Sequence, residues 1–198
     1  LVKDKIICLV GESGSGKTTV CQELEKQGYN IIKSYTTRKP RYEGEYGHTF
    51  VDEEEWMKGK DLTNGLGMGS KNSSLIAYTY FAGHHYWMTK EQFEGKGTSI
   101  YIVDIGGVKT LKQNKPEATK VVVIYLASTE TVRLNRMKER TLAQMIDPKP
   151  EELFKAGEIA MARIKHDREA FKDLQYNFLI DAENSIDSVV NSMKVIIK

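Results

Sequence analysis

The chain has 198 residues, 40% of them hydrophobic and 28% charged, with a formal net charge of +2. That composition suits one soluble domain with a substantial core, and the near-balanced charge gives no electrostatic footprint for nucleic acid. The two cysteines, Cys8 and Cys21, are too few for a disulfide framework and read as buried thiols of a reducing compartment.

The first apolar run, "IICLV" within residues 5–10, is short and rich in β-branched residues, and reads as a buried strand rather than a membrane span or a signal-peptide core. It leads straight into "GESGSGKTT" and then into a helical pattern over 17–27. Gly11, Gly16, Lys17 and Thr18 satisfy G-x-x-x-x-G-K-[ST], in the strand-to-helix context that the mechanism of a phosphate loop requires. Glycine lets the backbone wrap closely around phosphates, so the amides of Ser13, Gly14, Ser15, Gly16, Lys17, Thr18 and Thr19 become candidate donors, reinforced by the helix N-terminus. Lys17 is expected to reach the β- and γ-phosphates of ATP, with the Thr18 hydroxyl on Mg2+.

Residues 33–90 break the alternation of strand and helix. Short alternating segments ("YGHTFV", "LIAYTYF", "HHYWMT"), a helix over 52–58 and the loop "TNGLGMGSKNSS" at 63–74 suggest a small, partly antiparallel, acceptor-binding insertion. The main rhythm resumes with strands over 99–105, 120–126 and 177–180, and helices over 107–113, 129–140, 150–174 and 185–197. The expected fold class is therefore α/β: a P-loop-type parallel sheet covered by helices, carrying a small α+β insertion and a helical lid. In that division the core comprises 1–33, 91–140 and 164–198, the insertion about 34–90 and the lid about 141–163. The stretch "TLAQMIDPKPEE" at 141–152 reads as an irregular, mobile lid segment.

Asp104, near the carboxyl end of its strand, is the candidate carboxylate for the metal's water shell; a strand-terminating turn before Gly106 and Gly107 is the plainer alternative. Arg136 and Arg140 lie four apart on one helix face, with Arg133 one turn earlier, and Arg163 lies beyond the lid. Arg136, Arg140 and Arg163 are read as cations that close over the transferring phosphoryl group, against the plainer alternative of a solvated basic face. His48, His84, His85 and His166 have no metal-ligand spacing.

With the phosphate loop, "SYTTRKPRYEGEYGHTFVDEEEW" at 34–56 resembles the guanylate kinase family, whose members carry Ser-x-Thr-Thr-Arg-x-Pro-Arg followed by Gly-Glu, Gly and a Phe element. Ser34, Thr36, Thr37, Arg38, Pro40 and Arg41 match in register, followed by Gly44, Glu45, Gly47 and Phe50. "AGHHYWMT", "IVDIGG" and "RMKER" resemble later family segments in the right order, so the resemblance covers essentially the whole chain. It implies an acceptor-phosphate site made by Arg38, Arg41 and Tyr86, with Ser34 as a base-contacting hydroxyl. Pairing of Arg38 and Arg41 with Glu43 and Glu45 is the structural alternative.

The departures concern the base. Ala77 and Gly106 stand where the family places guanine-reading carboxylates, residues 62–90 contain no Asp or Glu, and His48 stands where the family has a tyrosine. Guanine donors left unpaired in a closed site cost about 1–3 kcal/mol each, so the phosphate recognition looks kept and the base recognition rewritten.

The expected activity is ATP- and Mg2+-dependent phosphoryl transfer to a nucleoside monophosphate, GMP first. Another phosphorylated acceptor such as ribose 1,5-bisphosphate is the alternative, and a non-catalytic phosphopeptide-binding module a weaker one, because Lys17 and Thr18 are intact. The expected partner is a small-molecule acceptor, with no nucleic acid and no membrane, in a cytoplasmic setting. A chain beginning at Leu1 is expected to have a processed or trimmed terminus.

Overall fold

Strand β1 (Asp4–Val10) is the spine of the molecule because both of its faces are apolar. Ile7 and Leu9 pack with Val20, Leu24, Val189 and Met193 on one side, while Ile6, Cys8 and Val10 pack with Tyr101, Val108 and Leu111 on the other. A strand buried on both faces needs parallel neighbours joined by helical crossovers. The computed structural model describes residues 3–61, 75–143 and 149–198, and it shows that arrangement. The main sheet has five strands in the order β2-β7-β1-β8-β9, and every pairing in it is parallel. Here β2 is Asn30–Ile32, β7 Thr98–Ile102, β8 Thr119–Ala127 and β9 Phe178–Asp181. Helices α1 (Lys17–Lys26) and α6 (Ile186–Ile197) cover one face, and α3 (Ile105–Asn114) covers the other.

Between β2 and β7 the chain builds a second sheet of four strands in the order β4-β3-β6-β5. Its members are β3 (Ser34–Thr36), β4 (His48–Phe50), β5 (Leu75–Phe81) and β6 (His84–Thr89), with α2 (Glu53–Asp61) between β4 and β5. The β3–β4 pair is parallel; β3–β6 and β5–β6 are antiparallel. Trp56 anchors α2 by stacking on His85 and Tyr78 and by tilting against Trp87. Ile76, Ala77 and Met88 belong to the same apolar cluster as Val108 and Leu111, so the second sheet is seated on α3.

Several sequence expectations are corrected. Strand β2 is not anticipated from its three residues, yet it completes the sheet edge by pairing Ile31 with Ile100. The strand expected over 99–105 ends at Ile102, because Asp104 caps α3: its Oδ1 accepts from Gly107 N at 2.6 Å. The segment expected to be irregular over 141–152 is helical at both of its ends. Helix α4 (Glu130–Leu142) runs through its start, and α5 (Pro150–Ala170) begins at Pro150 with Glu152 bonding back to Lys149 N. Residues 144–148 of that segment, and 63–74 of the insertion loop, lie outside the described residues. Helix α5 stops at Ala170, four residues before the expected 174.

Candidate active site at the phosphate loop

The loop between β1 and α1 is folded around its own lysine. Lys17 Nζ donates to the carbonyls of Gly11 at 2.6 Å and Glu12 at 3.0 Å, and to Ser15 Oγ at 3.4 Å. Burial pushes its pKa down to about 8, against the raising influence of Asp167 and Glu12. The glycines are required by space. A Cβ on Gly11 would lie 2.6 Å from Ser15 Oγ and 2.9 Å from Leu126 O; one on Gly14, whose φ is +82°, would lie 2.7 Å from Arg133 O. Gly16, at φ 95°, caps α1 without any side-chain bond, so the amides of that helix's first turn have no capping partner of its own. Thr18 and Thr19 are exposed on that first turn.

Asp104 sits at the carboxyl end of the sheet beside β1, where Val103 N bonds Leu9 O. Its Oδ1 holds Gly107 N and the Thr79 hydroxyl (2.9 Å), so the plainer, turn-forming role is realised.

The three candidate arginines of α4 and α5, Arg136, Arg140 and Arg163, have distinct positions. Arg136 Nη2 donates to Ala182 O at 2.8 Å, and its other nitrogen lies 3.8 Å from where a Gly16 Cβ would be. Arg140 and Arg163 line a cavity of about 100 Å3 together with Arg41. Burial, then the like charges of Arg41 and Arg140, lower the pKa of Arg163; burial, then Arg38, lower that of Arg41. Arg133 is different. Expected on the basic face with Arg136, it is 1% exposed and ion-paired to Glu12 and Asp167, each at 3.3 Å.

On the insertion, Arg38 forms a two-pronged pair with Glu45, at 2.8 and 3.1 Å, and Arg41 reaches the same carboxylate through its side chain (3.2 Å) and its N–H (2.7 Å). The structural alternative raised by the sequence is thus realised for Glu45. Burial lifts the Glu45 carboxyl, but the Arg38 fork and the Arg41 N–H outweigh it and hold its pKa below the ordinary value. Burial likewise works against the Arg38 charge, and Glu45 and the Tyr86 hydroxyl outweigh it. Arg38, Arg41 and Tyr86 therefore converge on one place, which a phosphate would share with Glu45.

Ser34 is buried behind them, its Oγ 2.8 Å from His48 Nδ1. His48, expected to be no more than a surface or acceptor-pocket residue, stands edge-on to Tyr86 and Phe50. Burial, then the Arg38 charge, push its pKa down to about 4. A neutral imidazole is what this site holds. Since the folded pKa lies below the ordinary 6.5, His48 contributes stability that is complete above pH 6.5 and is lost as pH falls towards 4. The loss approaches about 3 kcal/mol. A series of melting temperatures across that range is expected to be visibly flatter for His48→Gln than for the parent; identical slopes would exclude His48 as the source.

The two positions where the resemblance places base-reading acids carry none. Ala77 is fully buried in the core, and Gly106 lies in the first turn of α3 where a Cβ would stand 3.2 Å from Thr79 Oγ1. Helix α3 is pressed onto β5 at that point, leaving little space for a longer side chain. The residues that the sequence reading missed are Glu12, Asp167 and the buried state of Arg133; no local pattern marks them, because their partners are 34 and more positions away.

A parallel sheet with a glycine-walled loop at its carboxyl edge and a helical hairpin above it defines a P-loop kinase fold. A family model described as an AAA domain (AAA_18) matches residues 7–152. The guanylate kinase of Wolinella succinogenes is 29% identical over 140 residues, 66% of this chain and 60% of that protein. That of Clostridium tetani is 26% identical over 210 residues, covering 97% of this chain and 88% of the relative. The crystal structure of guanylate kinase from Anaplasma phagocytophilum superimposes with a TM-score of 0.53 at 17% identity, covering 99% of this chain and 85% of that one, which shows the shared fold. The chain belongs to the AAA domain family, and the relatives it resembles are guanylate kinases. It spans about 60% of the length of the Wolinella relative.

Proposed function

We propose that the protein transfers the γ-phosphoryl group of ATP to the phosphate of a nucleoside monophosphate, with GMP the favoured acceptor. The observation that carries this reading is the cavity in which Arg41 of the insertion meets Arg140 of α4 and Arg163 of α5, with Arg136, one turn before Arg140, beside Gly16 of the phosphate loop. Cations gathered between a phosphate loop and the insertion are what phosphoryl transfer between two phosphates needs.

The glycine-walled loop fits a nucleotide's phosphates: its amides donate, and Lys17, already stripped of water and resting on loop carbonyls, turns from them to phosphate oxygens. Thr18, with Asp104 through water by its second carboxylate oxygen, would hold Mg2+. An Mg2+ ion at such a loop is carried largely by the nucleotide's phosphates and needs few protein ligands. When bound, Mg2+ neutralises charge on the transferring phosphates. Arg38, Arg41 and Tyr86 orient the attacking phosphate, and Arg136, Arg140 and Arg163 stabilise charge on the group in flight. No helix among the described residues is long and apolar enough to cross a membrane, and the acceptor is taken to be a small molecule.

A second reading keeps this chemistry and changes the acceptor to a sugar phosphate such as ribose 1,5-bisphosphate. It is favoured by the buried Ala77 and the α3–β5 contact at Gly106, which supply no carboxylate for guanine. One assay of ADP release, run with GMP, dGMP, AMP, CMP, UMP and sugar bisphosphates, separates the readings. GMP is expected to give the highest kcat/KM; a sugar phosphate ahead of GMP would establish the second reading, and ATP binding without turnover on any acceptor would overturn both.

A further inference from the structure

Asp167 lies on α5, 154 residues from Ser13, and the catalytic scheme above has no use for it. Its Oδ2 nevertheless accepts from Ser13 N at 2.7 Å, inside the phosphate loop, and from Arg133 Nη1 at 3.3 Å. Arg133, on α4, is 1% exposed and also reaches Glu12 Oε1 at 3.3 Å and Ser13 O at 3.5 Å. The other oxygen of Glu12 accepts from the Tyr125 hydroxyl of β8 at 2.7 Å. The second and third residues of the loop are thereby tied to three separate elements. The fourth, Gly14, rests directly on the α4 backbone, where any Cβ would meet Arg133 O at 2.7 Å.

Two opposite roles fit a carboxylate on a loop amide: a mimic that phosphate must displace, or a brace that stays in place. Displacement would strand a guanidinium that is 1% exposed with Glu12 as its sole remaining acid, an expensive step. The brace is the cheaper state before and after phosphates arrive. We propose that Asp167 is a positioning residue which, through Ser13 N–H and Arg133, holds the phosphate loop in the posture that receives the nucleotide. This rests on the reading of the loop as the ATP site. It also means that the base of the α4–α5 hairpin is fixed at the loop whose ligand the hairpin arginines serve.

The test uses the full chain with Asp167→Asn, Asp167→Glu and Asp167→Ala, and three readouts: amide exchange at Ser13, ATP affinity by calorimetry and GMP affinity. Asn keeps an oxygen for Ser13 N–H and loses the charge; Glu keeps the charge and cannot keep the same short geometry. The expected order is distinctive. Ala and Glu speed Ser13 exchange and weaken ATP by about tenfold, Asn stays within about threefold of the parent, and GMP changes by less than about twofold throughout. Tighter ATP binding in Ala would make Asp167 a blocking group, and equal weakening of ATP and GMP in Asn, Glu and Ala alike would make it a general fold support; either result overturns the proposal. If Ala does not fold, the contrast between Asn and Glu decides alone. A parent protein that binds no ATP would refute the proposed function, whereas unprotected Ser13 in the parent would refute the brace itself.

Discussion

Lys17→Ala is expected to lower kcat by about 10³-fold or more at saturating substrates while leaving the fold at least as stable as the parent. The two halves of this expectation come from one geometry. Lys17 Nζ has three acceptors in the loop and a pKa of about 8, driven down chiefly by burial. A lysine whose folded pKa lies below its ordinary value costs the native state stability wherever it is charged, below about pH 8, and the cost disappears only as pH rises towards 10.5. Alanine removes that cost, so melting at pH 7 is expected at the same temperature or higher. Function moves the other way. The ammonium rests on neutral acceptors, two carbonyls and a hydroxyl, which phosphate oxygens carrying full charge can outcompete when they arrive. Single-turnover kinetics with a melting curve on the same sample checks both halves, and near-parental turnover would remove Lys17 from the mechanism.

The parallel sheet was legible because its strands are buried on both faces and so appear as unbroken apolar runs, and because Thr129 and Ser185 announce α4 and α6 through side chains that accept from Val132 N and Ser188 N. Strand β2 escaped notice because three residues carry no period, and its place is set by pairing with β7. The end of the following strand was misread for a related reason. "YIVDI" is apolar on both sides of its one aspartate, but Asp104 turns its side chain back onto Gly107 N and starts a helix there.

The site divides along the same line. The phosphate loop and the Arg38–Arg41 pair are local in sequence, and so is Glu45, the acid that holds both arginines. Arg133 looks like its neighbours Arg136 and Arg140 on a basic helix. What separates it is a burial that only the meeting of α4, α5 and the loop creates. Periodicity cannot show which of several like charges turns inward. The absent base-reading acids were visible as Ala77 and Gly106, but the physical reason was not: α3 lies on β5 so closely that even a methyl group at Gly106 crowds Thr79.

The Arg38 and Arg41 pair gives the second large effect, and the two residues are expected to fail differently. Arg41 has a side chain 52% exposed and one contact to Glu45 at 3.2 Å, so its removal leaves no buried charge unpaired. Arg41→Ala is expected to raise the KM for the acceptor by about 10- to 100-fold, with the KM for ATP and the melting temperature nearly unchanged. Arg38 is 12% exposed and provides both prongs of the bond to a carboxylate that is 5% exposed. Arg38→Ala therefore leaves the buried Glu45 charge with only the Arg41 side chain and N–H, and it is expected to cost about 1–3 kcal/mol of stability besides a comparable loss of acceptor affinity. Adding Glu45→Gln to Arg38→Ala should restore much of the stability, since the under-paired charge is gone, but not the acceptor affinity, since the fork is still missing. That separation is the decisive measurement. If the double variant recovers both quantities, Arg38 is a lock for the 38–45 turn and no part of an acceptor site. If Arg41→Ala leaves the acceptor's KM untouched, the convergence of Arg38, Arg41 and Tyr86 is structural, and the phosphate acceptor must enter elsewhere.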